Sequence, residues 1–215
     1  TLESLLYQTM TDFEVVESFS ERFGERLRIL KLPHTGTPGL PRNEGSRAAR
    51  GKYIAFLDSD DLFTKTALAE LSTLAENFQA DVVHTDGAFT LWDGIKKTVN
   101  DPAISDMAEL TNPKNFTVKF ARRKKLTAPI SETGDVVKRV HKWLHPPKVS
   151  SFWTTYLNFY RREFLITNQI AFADMILCED MPFAFEALCL AKNYLIVPNI
   201  TYIRRPGLSS AARGS

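Results

Sequence analysis

Cysteine is scarce in this chain: Cys178 and Cys189 are the only two in 215 residues. Two are too few for a disulfide framework, so a reducing compartment, the cytoplasm, is the expected setting. Long apolar runs are missing as well, and none approaches the roughly 20 residues that span a bilayer. The opening segment TLESLLYQTMTDFEVV has neither a basic n-region nor a cleavage site, so a signal peptide is not expected. Charge of one sign is not in excess overall, with 27 Lys and Arg against 25 Asp and Glu. Whole-chain disorder is excluded, because 44% of residues are hydrophobic and the aromatics include fifteen Phe, six Tyr and three Trp. The length suits one large domain, or one domain carrying an insertion. There is no internal repeat and no low-complexity tract.

The charge is unevenly spread. Between Lys114 and Lys148 ten basic residues face only Glu132 and Asp135, a local +8, which leaves the rest of the chain at −6. Such asymmetry fits a face that meets something anionic: a membrane surface, a phosphorylated lipid, an acidic glycan or nucleic acid. It fits equally a solvated basic surface on an insertion.

Hydrophobic periodicity orders the first half. Leu2, Leu5, Leu6 and Met10 have helical spacing, and Asp12–Val16 reads as a strand. Ser18–Gly24 suits a short helix, Arg26–Leu32 a strand, His34–Gly39 a loop, and Pro41–Arg50 a helix stopped by Gly51. Tyr53–Leu57 is continuously apolar, as in a strand buried on both faces. Thr64–Asn77 predicts a helix and Asp81–Thr85 the next strand. This alternation predicts an α/β fold with a mostly parallel central sheet flanked by helices. From Trp92 to Ser150 the rhythm breaks into a polar, basic insertion with helices predicted near Ile104–Lys125 and Asp135–Leu144. Beyond it, Phe152–Tyr160 is β-like, Arg161–Asn168 and Glu179–Lys192 read as helices, and Tyr194–Val197 and Ile200–Arg204 as strands.

The buried run Tyr53–Leu57 leads straight into Asp58-Ser59-Asp60-Asp61. Three carboxylates at a strand end repel one another and need compensation. A hard divalent cation, Mg²⁺ or Mn²⁺, would supply it, bridging one or two carboxylates to a substrate phosphate. The place fits too, since ligands of open α/β sheets bind at the carboxyl ends of strands. A first-turn acidic cluster for the helix Thr64–Asn77 would explain the same residues, and a bare Asp-x-Asp does not decide between them.

The surrounding text carries a resemblance. Pro41-Arg42-Asn43-Glu44-Gly45 followed by Ala48-Ala49-Arg50-Gly51-Lys52-Tyr53-Ile54-Ala55-Phe56-Leu57-Asp58-Ser59-Asp60-Asp61 resembles glycosyltransferase family 2, which has the Rossmann-like GT-A fold and typically reads "ARNxG…A.G.YI.FLDSDD". Ser4–Thr9 with Asp12–Val16 is similar to the family's "SLLxQTxxDFEII", and Tyr160–Leu165 to its "YRREFL". Cys178–Phe183 is similar to "ED..F", and Tyr202–Ser210 to "YR.R.GS.S". The likeness covers residues 1–85 and 152–210 in the family's order.

The resemblance implies an inverting, metal-dependent transferase that moves a sugar from a nucleotide-diphosphate donor, by family habit UDP, to a hydroxyl acceptor. By the same resemblance Asp58 and Asp60 match the Asp-x-Asp motif, the first supporting the ribose or a metal-bound water and the second ligating the metal. Asp61 extends that metal cluster. Arg42 and Asn43 match the pair near the nucleotide, Asp180 the catalytic base, and Glu179 its neighbour. Arg204 and Arg205 stand where many relatives place histidine; they suit bidentate binding of the diphosphate, or are ordinary surface arginines. An inverting displacement needs one carboxylate to take the acceptor's proton, and a cation to offset charge on the leaving diphosphate.

Two family segments have no counterpart here: the opening strand "VSVIIPVYN", and "VDDGSTD" after "DFEII", where Val16 instead leads straight to Glu17 and Ser18. A parallel sheet without its first strand would expose long unpaired edges, so the expectation is that they belong to the protein and are missing only from this sequence. No Gln-x-x-Arg-Trp occurs, which argues against a processive synthase. His34, His84, His141 and His145 lack metal spacing and read as structural, and Trp143 and Trp153 read as core.

The chain is expected to form a single GT-A-like domain: residues 1–91 a nucleotide-sugar half, 92–150 the helical basic insertion, and 151–215 an acceptor and catalytic-base half. Its partners would be the donor and a glycan or lipid-linked acceptor, with peripheral contact at the inner face of the membrane and no nucleic acid. Surface glycan or polysaccharide synthesis is the process implied. A non-catalytic binding module on the same fold is the rival reading, followed by a nucleic-acid binder using the insertion.

Overall fold

In the computed structural model, the residues described are 4–5, 8–17, 27–30, 32, 36–85, 87–91, 116–119, 126–144, 154–175 and 177–204. The strands, in chain order, are β1 (Val15–Glu17), β2 (Leu27–Ile29), β3 (Tyr53–Ala55), β4 (Leu62–Phe63), β5 (Val82–Thr85), β6 (Ala88–Leu91), β7 (Phe116–Lys119), β8 (Ile130–Glu132), β9 (Asn158–Arg161), β10 (Tyr194–Val197) and β11 (Tyr202–Arg204). The helices are α1 (Gly39–Ala48), α2 (Ala67–Asn77), α3 (Val136–Leu144), α4 (Arg162–Thr167) and α5 (Asp180–Leu190), with a 3₁₀ turn at Thr155–Leu157.

The central sheet has the order β3-β9-β5-β10-β8, a second sheet the order β4-β11-β6-β7, and β1 pairs with β2. Period-two alternation sorts the central strands' side chains onto two faces. Val83, Phe159 and Leu195 meet Leu68, Leu71 and Ala75 of α2 on one side. Val82, Tyr160, Tyr194 and Ile196 meet Phe164 and Leu165 of α4 and Phe183 and Leu188 of α5 on the other. Strands β5 and β10 are buried throughout; β10 is correspondingly apolar along its length, whereas β5 also buries His84 and Thr85.

The α/β class with flanking helices matches the sequence expectation, but the pairing is mixed rather than mostly parallel. Among the described residues only β1–β2, β5–β10 and β6–β11 are parallel. The cause is β9, which enters between β3 and β5 and runs antiparallel to both; β8 is antiparallel to β10 as well. A second correction concerns the helix predicted near Ile104–Lys125. Its residues 116–119 form β7, antiparallel to β6, because Phe116 and Val118 alternate with Thr117 and Lys119 at strand rather than helix spacing; the rest of that prediction lies outside the described residues. The helix predicted at Asp135–Leu144 is α3. Asp135 Oδ1 caps it by accepting from the amides of Val137 at 2.8 Å and Lys138 at 3.1 Å. The Ser18–Gly24 helix, His34, His145, Trp153 and the side chain of Trp143 lie outside the described residues.

Candidate active site

Strand β3 ends at Ala55, and the chain leaves the sheet through Phe56 and Leu57 to reach Asp58. Helix α5 begins at Asp180. The ends of both elements come together on one side chain from α1. Arg42 Nη2 donates to Asp58 Oδ1 at 2.7 Å, and Nη1 donates to Glu179 Oε1 at 2.7 Å and to Asp180 Oδ1 at 2.8 Å. Three acids singled out in the sequence thus share the guanidinium of Arg42, the most distant of them 138 positions away.

Packing holds this arrangement rigid. Gly39 opens α1 where a Cβ would lie 2.8 Å from the Ala173 carbonyl, so only glycine lets segment 172–173 approach so closely. Phe172 stacks on Phe183 of α5 at 4.0 Å, and Phe56 meets both rings edge-on. Arg42 lies 5.4 Å above the Phe172 ring. Asn43 is turned away from Arg42 by about 100° around the helix. Its Nδ2 donates to the Phe172 carbonyl at 2.9 Å, and its Oδ1 accepts from the Phe172 amide at 2.8 Å. Asn43 therefore clamps the segment leading to the acids; its amide is engaged with backbone.

The electrostatics follow from burial. Burial opposes the charged form of Arg42, but Asp180, Asp58 and Glu179 outweigh it and hold the guanidinium above its ordinary pKa. Asp180 is pushed above the usual carboxylate value, first by burial and further by Glu179, against the pull of Arg42 and Thr155. A carboxylate raised in this way is a better proton acceptor once ionised. Thr155 bonds it twice: Oγ1 donates to Oδ1 at 3.0 Å, and the amide reaches Oδ2 at 3.4 Å.

Beside the acids lies a stacked pair of tyrosines, Tyr156 and Tyr202, with ring centroids 4.6 Å apart. Tyr202 is fully buried, and its hydroxyl accepts from the Asp58 amide at 3.2 Å. Burial, then Asp58 and Asp61, raise its pKa well above the ordinary phenol value, and Asp61 hydrogen-bonds it. Asp61 is itself buried, whereas Asp60 is half-buried. Burial raises Tyr156 to about 12, with Arg204 opposing and Asp61, Asp58 and Asp180 reinforcing. Arg204 stands 5.7 Å over the Tyr156 ring, and Arg205 lies outside the described residues. Thr155, Tyr156 and Tyr202 received no role from the sequence. Their only signal was their place in an aromatic-rich strand and a family-like tail, where aromatics ordinarily read as core.

The donor set suits one kind of metal. Asp58, Asp60 and Asp61 offer only oxygen, the preference of Mg²⁺ and Mn²⁺. Among the described residues no group of three or more His, Cys, Asp or Glu forms a ready cage. A cation there would take one or two carboxylates and complete its shell with phosphate and water. Five carboxylates stand near Arg42 and Arg204, so a diphosphate would be repelled unless a cation came with it. A separate cavity of about 280 Å³, lined by Asn43, Ser46, Arg162, Leu165 and Ile170 among others, lies on the side of α1 facing α4, and none of these acids lines it.

Comparison with known proteins bears on the family and the fold. The family model described as Glycosyl transferase family 2 matches residues 7–134. The uncharacterized glycosyltransferase EpsJ of Bacillus subtilis (strain 168) is 26% identical over 222 residues, covering 97% of this chain and 57% of EpsJ. TarP of Staphylococcus aureus (strain N315), a poly(ribitol-phosphate) beta-N-acetylglucosaminyltransferase, is 32% identical over 98 residues, covering 39% of this chain and 30% of TarP. The chain thus spans little more than half of one relative and a third of the other. The crystal structure of S. aureus TarS 1–349 in complex with UDP-GlcNAc superposes with a TM-score of 0.70 at 18% identity, covering 100% of this chain and 56% of that one. At that identity the likeness is one of fold.

Proposed function

Because the chain belongs to glycosyltransferase family 2, we propose that it transfers a sugar, with inversion, from a nucleotide-diphosphate donor to a hydroxyl acceptor. The observation that carries this is the junction at Arg42, which joins the acids after β3 to those at the start of α5. One set suits the donor's diphosphate, and the other suits an acceptor's proton.

In this reading the acceptor oxygen attacks the anomeric carbon as that carbon's bond to the diphosphate oxygen breaks, and the acceptor's proton passes to Asp180. Arg42 and Glu179 hold Asp180 in place. Asp58 and Asp60 would hold Mg²⁺ or Mn²⁺, which when bound offsets charge on the leaving diphosphate. Asp61, buried against Tyr202, anchors the loop that presents them. Arg204, with Arg205 following, would bind the diphosphate, and Asn43 would act by fixing the segment at Phe172. UDP is the proposed nucleotide, a choice supported by TarS having been solved with UDP and with UDP-GlcNAc. Residues 1–91 would bind the donor, 92–150 form the basic insertion, and 151–215 serve the acceptor.

The local +8 of residues 114–148 supports an anionic acceptor, a surface glycan or a lipid-linked diphosphate, met at the inner face of the membrane. Relatives named for poly(ribitol-phosphate) support the same charge. No helix among the described residues is long and apolar enough to cross a membrane. Equal binding to neutral and anionic liposomes would remove the membrane part of the proposal.

The test is thermal stability with UDP, GDP or CDP, each with and without Mn²⁺. A nucleotide at 100 times its dissociation constant adds about 2.7 kcal/mol. The expected result is a metal-dependent shift with one nucleotide that is lost in Asp60→Ala. No shift with any of them would favour a non-catalytic module on this fold.

A further inference from the structure

The two oxygens of Asp180 are unequally occupied. Oδ1 accepts from Arg42 Nη1 at 2.8 Å and from Thr155 Oγ1 at 3.0 Å. Among the described residues Oδ2 meets only the Thr155 amide, at 3.4 Å. Thr155 is fully buried, and the turn carrying it is tied down along its length. Asn158 Nδ2 donates to the Thr154 carbonyl at 2.9 Å, and Thr85 Oγ1 donates to the Leu157 carbonyl at 3.2 Å. Since the amide nitrogen of Asn158 must face that carbonyl, its Oδ1 faces the other way. There it accepts from Tyr194 Oη at 3.1 Å and lies 2.7 Å from His84 Nδ1, which the network therefore assigns as the protonated ring nitrogen. His84 and Tyr194 are fully buried on β5 and β10, so the turn is bolted to the middle of the central sheet.

We propose that Thr155 is a positioning residue for the transfer: its hydroxyl and amide hold the Asp180 carboxylate so that Oδ2 takes the acceptor's proton, while the Asn158–His84–Tyr194 network holds Thr155. The proposal rests on Asp180 being the base. Oδ1 is saturated by two donors, which leaves Oδ2 as the oxygen with lone pairs to offer. The other ionisable groups around Asp180 are Arg42 of α1, which also carries Asp58, Glu179 beside it, Tyr156 of the same turn and Tyr160 of β9. Burial holds both tyrosines above the ordinary phenol value, so they stay neutral while Asp180 titrates. Donors to an ionised carboxylate favour that form, so losing the hydroxyl shifts Asp180 upward.

The experiment is a pH–rate profile of UDP release from UDP-GlcNAc with Mg²⁺ and water as the acceptor whose proton Asp180 takes, using the full chain and its Thr155→Val and Thr155→Ser variants. The expected result in Thr155→Val is an acid limb of kcat moved up by about one pH unit, with kcat about tenfold lower on that limb. KM for the donor should change by less than about twofold, because Thr155 is fully buried and its hydroxyl bonds Asp180. Thr155→Ser, which keeps the hydroxyl, should bring the limb back. If Thr155→Val does not fold, Thr155→Cys keeps the volume with a poor donor, and the same upward shift is expected. An acid limb that coincides with wild type in the folded variant overturns the proposal. Carboxyl-¹³C NMR of Asp180, its resonance identified by loss in Asp180→Asn, reads the same shift without turnover. An unchanged midpoint in Thr155→Val overturns the positioning role. Failure of the wild type to turn over any UDP-, GDP- or CDP-sugar would instead defeat the transferase reading, and the NMR titration would still decide Thr155.

Discussion

The acids after β3 and the acids at the start of α5 reach the same guanidinium, but their surroundings differ. Asp58 is the more open of Arg42's three partners, with 34% of its side chain exposed, against 10% for Glu179 and 21% for Asp180. Half-buried Asp60 follows it, while Asp61 is turned inward onto Tyr202. The first cluster is thus anchored at both ends and open in the middle, as a cation shared with a diphosphate would need. The second is enclosed, with donors on both carboxylate oxygens of Asp180 and a pKa pushed upward by burial. In the proposed function similar chemical groups would serve two purposes, separated by desolvation.

Breaking one cluster at a time tests that division. Asp180→Asn should lower kcat for sugar transfer about a thousandfold and leave the metal-dependent stabilisation by UDP intact; a loss of UDP binding in that variant would erase the distinction. Its effect on folding has the opposite sign to that of an ordinary paired acid. Because the folded-state pKa of Asp180 is raised, the cost of ionising it is absent below its unfolded value and fully present above its folded one. Asp180→Asn should therefore melt no lower than wild type at neutral pH.

Arg42→Met strips the common cation from three carboxylates. It should cost about 3 kcal/mol, taken at the lower end because the side chain is 18% exposed. Differential scanning calorimetry would show this as a fall in Tm of roughly 6–12 °C. Asp60→Asn should abolish the metal-dependent part of nucleotide stabilisation, about 2.7 kcal/mol at 100 Kd, and leave the apo Tm near wild type. Tyr202→Phe removes the acceptor of the Asp58 amide and the partner of Asp61. It should cost about 1–3 kcal/mol and weaken UDP binding more than it lowers kcat.

The smallest effect belongs to Glu14, far from the site, whose pKa shift runs the other way. Burial alone would raise it, but the amides of Arg50 and Gly51 and the Arg28 guanidinium bring it below the ordinary value. Its stabilisation is present above the unfolded pKa and is lost as pH falls through the folded one. Glu14→Gln should lower Tm by about 2 °C at neutral pH, and the difference should vanish in acid.

Much of this was legible in the sequence, for identifiable reasons. Helix α2 followed from apolar residues at 3.6-residue spacing, and β3 from the continuous apolar run Tyr53–Leu57. The Asp58 cluster was visible because carboxylates after a buried strand are costly, and Asp180 because its segment resembles a family motif. Strand β7 was read as helix since its four residues sit in a long basic stretch where charge masked the period-two pattern. The mixed sheet was missed because an antiparallel entry by β9 leaves no mark on its own apolar residues. Tyr202 and Thr155 were missed because a buried tyrosine or threonine looks the same in sequence whether or not its hydroxyl holds a carboxylate.

Side-chain periodicity and short motifs act over a few residues, so the sequence alone settled most of the described elements, the acid clusters and the family they resemble. Which acid shares which cation was settled only by tertiary structure. Arg42 and Asp180 lie 138 positions apart, and their meeting depends on β9 entering beside β3, on Phe172 stacking against Phe183, and on Gly39 admitting the backbone at Ala173. The same packing turned Asn43 away from its neighbour and left Oδ2 of Asp180 less occupied than Oδ1, because close-packed interiors permit few alternative placements of a side chain.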